Sequence, residues 1–299
     1  MKGNCMKHSE IYPWFLLILL SIIWGSSPIL IKKSLVTLTP FEIGALRISS
    51  AAIFLSPFFF KVLNKINKSN FFLLLLSGII GNLIPYFLYP LAQIKIDSST
   101  SGVLTSLTPF FALLIGGVFY KQKVYKNNIT GLIVGFIGTF CLIFFSTGNN
   151  SINTNLYGLL VVLATLFYGI NLNLLKYHLV KLDPLTITST SLFFISPITI
   201  WLLVAETSFL TKLDKLSSNL NEIFYVLILG IVGTAIATII FYRLVQIKDT
   251  VFASSVTYLM PIVAIFLGLI DGEIINLIQF FGMFLILIGV YWANKKKSK

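Results

Sequence analysis

The stretch Gly78-Ile79-Ile80-Gly81-Asn82 returns as Gly230-Ile231-Val232-Gly233-Thr234, about 150 residues further along a 299-residue chain. Self-similarity at one fixed offset marks an internal repeat, and it governs the architecture more strongly than any single motif. Other matches follow at nearly the same distance. Gln93-Ile94-Lys95 returns as Gln246-Ile247-Lys248, Asp97 as Asp249, Thr105 as Thr257, Pro109 as Pro261, Gly131 as Gly282 and Gly138 as Gly289. Earlier in each half, Trp24-Gly25 aligns with Tyr168-Gly169, Lys32 with Lys176 and Pro40 with Pro184. The halves are residues 1–148 and 155–299, joined by the uncharged polar stretch from Gly148 to Asn155.

Both halves are built for lipid. With 57% hydrophobic and 11% charged residues and a mean hydropathy of +0.93, the chain is too apolar to present a charged surface to water. Its apolar runs recur at lengths near the ~20 residues that cross a bilayer core as a helix. The expected fold is therefore an all-α integral membrane protein with ten spans: 13–31, 40–60, 71–90, 98–119, 129–146, 156–175, 184–204, 223–243, 250–269 and 275–293. A β-barrel would alternate apolar and polar residues, and stretches such as Phe71 to Leu76 do not. Five spans per half is an odd number, so the second half enters the membrane from the opposite side. Such inverted repeats recur in secondary transporters, because two similar halves in opposite orientations can exchange inward-open and outward-open shapes. A duplication with only structural consequences is the alternative.

The net charge of +12 follows the membrane rather than a nucleic acid. With the N-terminus inside, 16 of the 22 Lys and Arg fall in inner segments, including Lys61, Lys65, Lys121, Lys123, Lys126, Lys176 and Lys295 to Lys297. The outer segments hold only Lys32, Lys33, Lys95, Lys212 and Lys215, and Arg47 lies within a span. By the positive-inside rule both termini are cytoplasmic, and the plasma membrane of a bacterium is the expected location. The basic residues are scattered over short loops without a recognition motif, so no nucleic-acid partner is expected. The first apolar run continues through Trp24 and Pro28 into Lys32-Lys33 and reads as a retained span, not a signal peptide. Cys5 and Cys141 make no disulfide framework. The terminal Lys296-Lys297-Ser298-Lys299 reads as a basic cytoplasmic cap.

A solute site is sought where corresponding helices are interrupted near mid-depth, because a broken helix exposes backbone groups that a ligand can satisfy. Pro109 and Pro261 fall near the centres of spans 4 and 9 and are the expected breaks. Each lacks a backbone donor and disturbs the carbonyl four residues earlier, that of Thr105 or Thr257. Asn82 and Thr234 are equivalent residues of spans 3 and 8, beside Gly81 and Gly233; close helix packing is their competing role. Trp24 and Tyr168, equivalent and each followed by glycine, suit the walls of a site for an organic solute. Tyr86, Tyr258 and Asn171 are candidates on the same grounds.

Arg47 is the costliest residue, since a guanidinium deep in a span is penalised by roughly 2.5 to 3.5 kcal/mol on insertion scales. Glu42 lies five residues away, about 140° around the helix, which is poor geometry for a pair. A substrate carboxylate, a backbone carbonyl and, by snorkelling, the headgroups are the open partners for Arg47.

The residues also resemble a known family. Trp24-Gly25-Ser26-Ser27, Arg47, Ser106-Leu107-Thr108-Pro109, Gly230 to Ala235, Pro261 and Gly272-Glu273 look like the EamA-type drug/metabolite transporters, in order and over nearly the whole chain. One departure stands out: where the first half of such proteins commonly has Gly-Glu after span 4, this chain has Lys121-Gln122. The resemblance implies a ten-helix carrier of amino acids, other metabolites or drugs, often working outward, by alternating access. A polytopic membrane enzyme or a channel acting on a lipid or small solute is the alternative. It lacks support, because His8 and His178 lie outside the deep membrane and no metal cluster, nucleophile-base pair or selectivity-filter segment gathers there. No catalytic residue, metal or cofactor is expected. Nucleotide-binding glycine loops are absent, and the partners expected are the bilayer and a small-molecule substrate. Oligomeric state, substrate and coupling ion are not legible.

Overall fold

A computed structural model describes residues 2–123, 125–144, 156–210, 220–248, 253 and 256–294, and the regular elements among them are all helical. The first half runs α1 Lys2–Gly25, α2 Ser27–Ser34, α3 Pro40–Val62, α4 Lys68–Gly78, α5 Ile84–Gln93, α6 Ser98–Thr105, α7 Thr108–Tyr120 and α8 Lys126–Phe144. The second runs α9 Gly158–Leu174, α10 Pro184–Trp201, α11 Leu220–Gly230, α12 Ala237–Ile247, α13 Val256–Ile270 and α14 Leu277–Asn294. The stretch proposed as a linker, Gly148 to Asn155, lies outside the described residues.

Seven continuous or interrupted rods are long and apolar enough to cross a bilayer: Ile11–Ser34, Pro40–Lys65, Lys68–Gln93, Ser98–Tyr120, Gly158–Leu179, Pro184–Glu206 and Leu220–Ile247. Helices α8, α13 and α14 add apolar helices of 19, 15 and 18 residues. The outside is greasier than the inside. Ile11, Phe15, Ile18 and Ile22 of α1, Phe136, Ile137 and Phe140 of α8, and Phe280, Phe281 and Phe284 of α14 are exposed, as lipid-facing residues should be. Ser49, Ser50, Ser77, Thr165, Ser189, Ser191 and Thr199 are buried. Most of these hydroxyls return to a carbonyl one turn back, as Ser191 does to Ile187 at 2.6 Å, which satisfies them without water.

The repeated glycines stand where helices touch. A methyl group built on Gly78 would lie 2.5 Å from the Ser191 carbonyl oxygen, and one on Gly230 would lie 2.6 Å from that of Arg47. Gly78 corresponds to Gly230, and Arg47 to Ser191 when counted from Pro40 and Pro184. The same exchange holds elsewhere. Gly25 of α1 closes on Val263 of α13 at 2.6 Å, and Gly169 of α9 closes on Phe111 of α7, the counterpart of Val263, at 2.7 Å. In α8 and α14, Gly138 meets the Gly282 carbonyl oxygen at 2.6 Å, and Gly289 meets that of Gly131 at 2.5 Å. These three close crossings thus recur with the halves exchanged, and small residues are what lets the backbones approach in lipid.

The helices are interrupted at corresponding and at unmatched places. Wide π turns at Ile79–Leu83 and Ile231–Ile236 join α4 to α5 and α11 to α12, within the repeated motif that begins at Gly78 and Gly230. Span 1 breaks at Ser26, with Pro28 in the first turn of α2. Span 4 breaks at Ser106-Leu107, and Pro109 sits in the first turn of α7, where a missing donor costs nothing. The break expected at Pro261 is corrected: α13 runs unbroken through it. A proline removes only one backbone donor, and neighbouring helices can hold a membrane helix continuous despite it. Here α1 packs tightly on that turn, with Gly25 against the Met260 carbonyl and Val263.

Candidate functional site

The interruptions of spans 1, 3 and 4 converge on one cavity of about 150 Å³. Span 1 contributes Trp24, Ser27, Pro28 and Ile31; span 2, Arg47; span 3, Gly81, Asn82, Tyr86 and Tyr89; and span 4, Thr105, Thr108 and Pro109. The second half contributes Tyr168, Asn171, Leu172, Leu175, Thr238, Phe241, Tyr242, Thr257 and Met260. Of the residues singled out from sequence, Trp24, Arg47, Asn82, Tyr86, Thr105, Pro109, Tyr168, Asn171 and Thr257 therefore line one space. Thr234 stands behind the wall, and Pro261 lies off it. The side chain of Tyr258 lies outside the described residues.

Trp24 spans the two halves. Its indole Nε1 donates to the Gly233 carbonyl at 2.9 Å, inside the π turn of the second half, and its ring lies 5.1 Å from that of Phe241. The widened turn frees a carbonyl at the depth where the indole can reach it. On the opposite wall, Thr105 gives its proton to the Ser101 carbonyl at 2.8 Å, leaving its oxygen to accept from the Tyr89 hydroxyl at 2.9 Å. Tyr89 stacks on Tyr168 with ring centroids 6.0 Å apart. Asn171 accepts from Ser77 at 2.8 Å and is hydrogen-bonded to Tyr242. A Cβ at Gly81 would overlap the Asn171 side-chain amide, so the glycine leaves that amide its place between spans 3 and 6.

Arg47 is 5% exposed. Its Nε donates to Thr234 Oγ1 at 2.8 Å, and Thr234 passes its own proton to the Leu229 carbonyl at 2.9 Å. The guanidinium lies 3.9 Å over the centre of the Tyr86 ring. Glu42 does not serve it: the carboxylate accepts from the Thr39 backbone at 2.7 Å in a capping box at the start of α3.

The cavity lies below a charged cluster at one end of the bundle. Glu273 accepts from the Ser98 backbone at 2.9 Å, the Ser98 hydroxyl at 2.6 Å and the Ser99 backbone at 3.0 Å, so it caps the N-terminus of α6 from the α13–α14 turn. Lys32 of α2 joins it at 3.0 Å and also reaches Asp271 at 2.8 Å, while Lys33 holds Asp271 at 2.6 Å. Lys176, the counterpart of Lys32, meets Gln122 at 3.4 Å at the other end. There the turn survives without its usual chemistry: Lys121 takes a φ of 53° where Gly272 takes 84°. A left-handed lysine costs about 1 kcal/mol that glycine avoids.

Burial pushes the Glu273 carboxyl up, but hydrogen bonds from Ser98, Ser99 and Lys32 outweigh it and hold the group below its ordinary 4.5. Hydrogen bonds from Lys32 and Lys33 hold Asp271 below 3.8. Burial and the Glu273 charge push Asp97 the other way. A depressed carboxyl stabilises the fold fully above its unfolded pKa, and the contribution is lost as pH falls through the folded value. The midpoint of thermal unfolding in detergent should therefore drop as pH falls below about 4.5. Glu273→Gln should lower it at neutral pH and flatten the acid loss. Parallel curves for the two proteins would show that the cluster does not stabilise the fold.

The profile of the EamA-like transporter family matches twice, over residues 12–144 and 155–295. An uncharacterized transporter of Archaeoglobus fulgidus is 25% identical over 287 residues, covering 95% of this chain and 99% of that protein. A second from the same organism is 25% identical over 293 residues, covering 97% and 88%. Uncharacterized transporter YxxF of Bacillus subtilis is 30% identical over 188 residues, covering 62% and 57%. A crystal structure shares the fold with a TM-score of 0.63 at 14% identity, covering 94% of this chain and 96% of that one. Matched in both halves, with transporters among its relatives and the bundle around a central cavity, the chain belongs to the EamA-like transporter family.

Proposed function

We infer that the protein is a ten-span secondary carrier made of two inverted five-span halves, residues 1–148 and 155–299, that moves a small organic metabolite by alternating access. The observation that carries this reading is the cavity itself, lined by both halves beside the broken helices and the Ile79–Leu83 π turn of the first. The reciprocal glycine crossings support a pseudo-two-fold relation between the halves, and the equivalent Lys32 and Lys176 at opposite ends of the bundle support its being an inversion. Trp24 and Tyr168 form walls, and Asn82, Asn171, Thr105 and Thr257 offer polar contacts. A volume of about 150 Å³ is below the roughly 300–1,000 Å³ of drug-sized pockets, which favours a metabolite over a larger drug.

Both termini lie in the cytoplasm of a bacterial cell by the charge split, so the Lys32–Glu273 cluster closes the outer end. The inner end has Lys176 and neutral Gln122 in the corresponding places, and the Lys65–Asp183 ion pair that joins the halves there at 2.9 Å is solvent-exposed, a weaker closure. A cavity more readily opened to the cytoplasm suits loading from inside and export. Protein reconstituted in proteoliposomes should give saturable flux, and unlabelled substrate trapped inside should drive transient accumulation of labelled substrate. Flux that is linear in concentration and lacks counterflow would replace the carrier with a leak.

A further inference from the structure

We propose that the cavity selects organic anions, specifically small carboxylates with an apolar body, and rejects cations, the Arg47 guanidinium being the fixed countercharge. The proposal rests on the carrier reading and names its substrate class. Among the described residues lining the cavity, Arg47 alone carries a formal charge, and no carboxylate there lies within ion-pair distance of it. The Nε contact to Thr234 leaves four guanidinium N–H groups, the fork that accepts a carboxylate in bidentate fashion. The ring of Tyr86 fixes one face of that fork.

Packing does not explain the charge. Gly230 needs only a backbone carbonyl at position 47, and the equivalent crossing in the other half is made against Ser191, which is neutral. An uncompensated guanidinium in a low-dielectric cavity is expensive, and an incoming carboxylate removes that cost as it binds. The rest of the wall, with Trp24, Tyr168 and Phe241, receives an apolar body. A zwitterion would also place its ammonium among neutral hydroxyls and amides, with no carboxylate to meet it. An amine would face Arg47 with like charge.

Three compounds with one body separate the cases: 3-phenylpropanoate, phenylalanine and 2-phenylethylamine. In detergent at neutral pH, the thermal midpoint should rise with the carboxylate, less with the zwitterion and not with the amine. Losing a charge-assisted pair should weaken carboxylate binding roughly tenfold to a hundredfold in Arg47→Gln, while Arg47→Lys retains part of it. Size-exclusion profiles and unliganded midpoints of both variants separate lost binding from lost folding, and Arg47→Lys carries the test if the glutamine variant misfolds. Preference for the amine, equal response to all three, no response to any, or carboxylate binding undiminished in a folded Arg47 variant each overturns the proposal. The carrier reading fails separately, by absence of counterflow with any solute.

Discussion

Leucine in place of Gly289 is expected to destroy the packing of α14 on α8 and leave little monodisperse protein after extraction. A Cβ at this position would lie 2.5 Å from the Gly131 carbonyl oxygen, 2.5 Å from the Gly135 nitrogen and 2.8 Å from the Gly135 Cα. All three are backbone atoms of a helix, so no rotamer change relieves the clash and the helices must separate. Overpacking commonly costs 1–3 kcal/mol, and a branched side chain driven against backbone belongs at about 3 kcal/mol or beyond. Against a total stability of roughly 5–15 kcal/mol, that is a large share. Gly138→Leu should do comparable damage, because it meets Gly282 and Ile286 in the exchanged arrangement. Phe284→Leu, on the exposed face of α14, is the control and should change little. A Gly289→Leu protein with the elution profile and thermal midpoint of the parent would show that this crossing does not form.

The equivalence of Gly131 with Gly282 and of Gly138 with Gly289 was legible in the sequence, but the exchange between them was not. A repeat says which positions correspond; only packing says that each glycine meets the counterpart of the residue that its own counterpart meets. Part of the cavity wall was readable for the same reason, since Trp24 and Tyr168, or Thr105 and Thr257, announce themselves as pairs. Tyr89, Phe241 and Tyr242 were missed because aromatics are abundant here and nothing in their spacing separates a wall residue from a packed one. The Ser26 break had a signal, the run Gly25-Ser26-Ser27-Pro28, with Pro28 poised for a first turn. Pro261 carried the same kind of signal and broke nothing, because a helix interruption is decided by what packs around the missing donor. Thr234 was expected on the wall and instead orients the residue that is there, a distinction of one side-chain length that no periodicity records.

Substitution of Trp24 should separate the two things this residue does. Its ring forms wall, and its Nε1 ties span 1 of the first half to the Gly233 carbonyl in the π turn of the second. Trp24→Phe keeps an aromatic face beside Phe241 and removes the donor, leaving a carbonyl in the membrane interior without its partner. A lost hydrogen bond to a buried group costs about 1–3 kcal/mol, or roughly fivefold to a hundredfold in an equilibrium between two closed and open shapes. The tie joins halves that must move against each other, so the phenylalanine variant should change the maximal rate while leaving the half-saturating concentration nearly constant. Trp24→Ala removes wall and tie together. It should raise the half-saturating concentration as well and lower the ratio of maximal rate to that concentration by about a hundredfold. Expression and elution should stay close to the parent in both, because Trp24 is only partly buried and flanks the core cluster of Leu17, Leu20 and Phe241 from the cavity side. Parental kinetics in a folded Trp24→Ala protein would move the substrate out of this cavity. Parental kinetics in Trp24→Phe alone would leave the wall in place and remove the coupling between the halves.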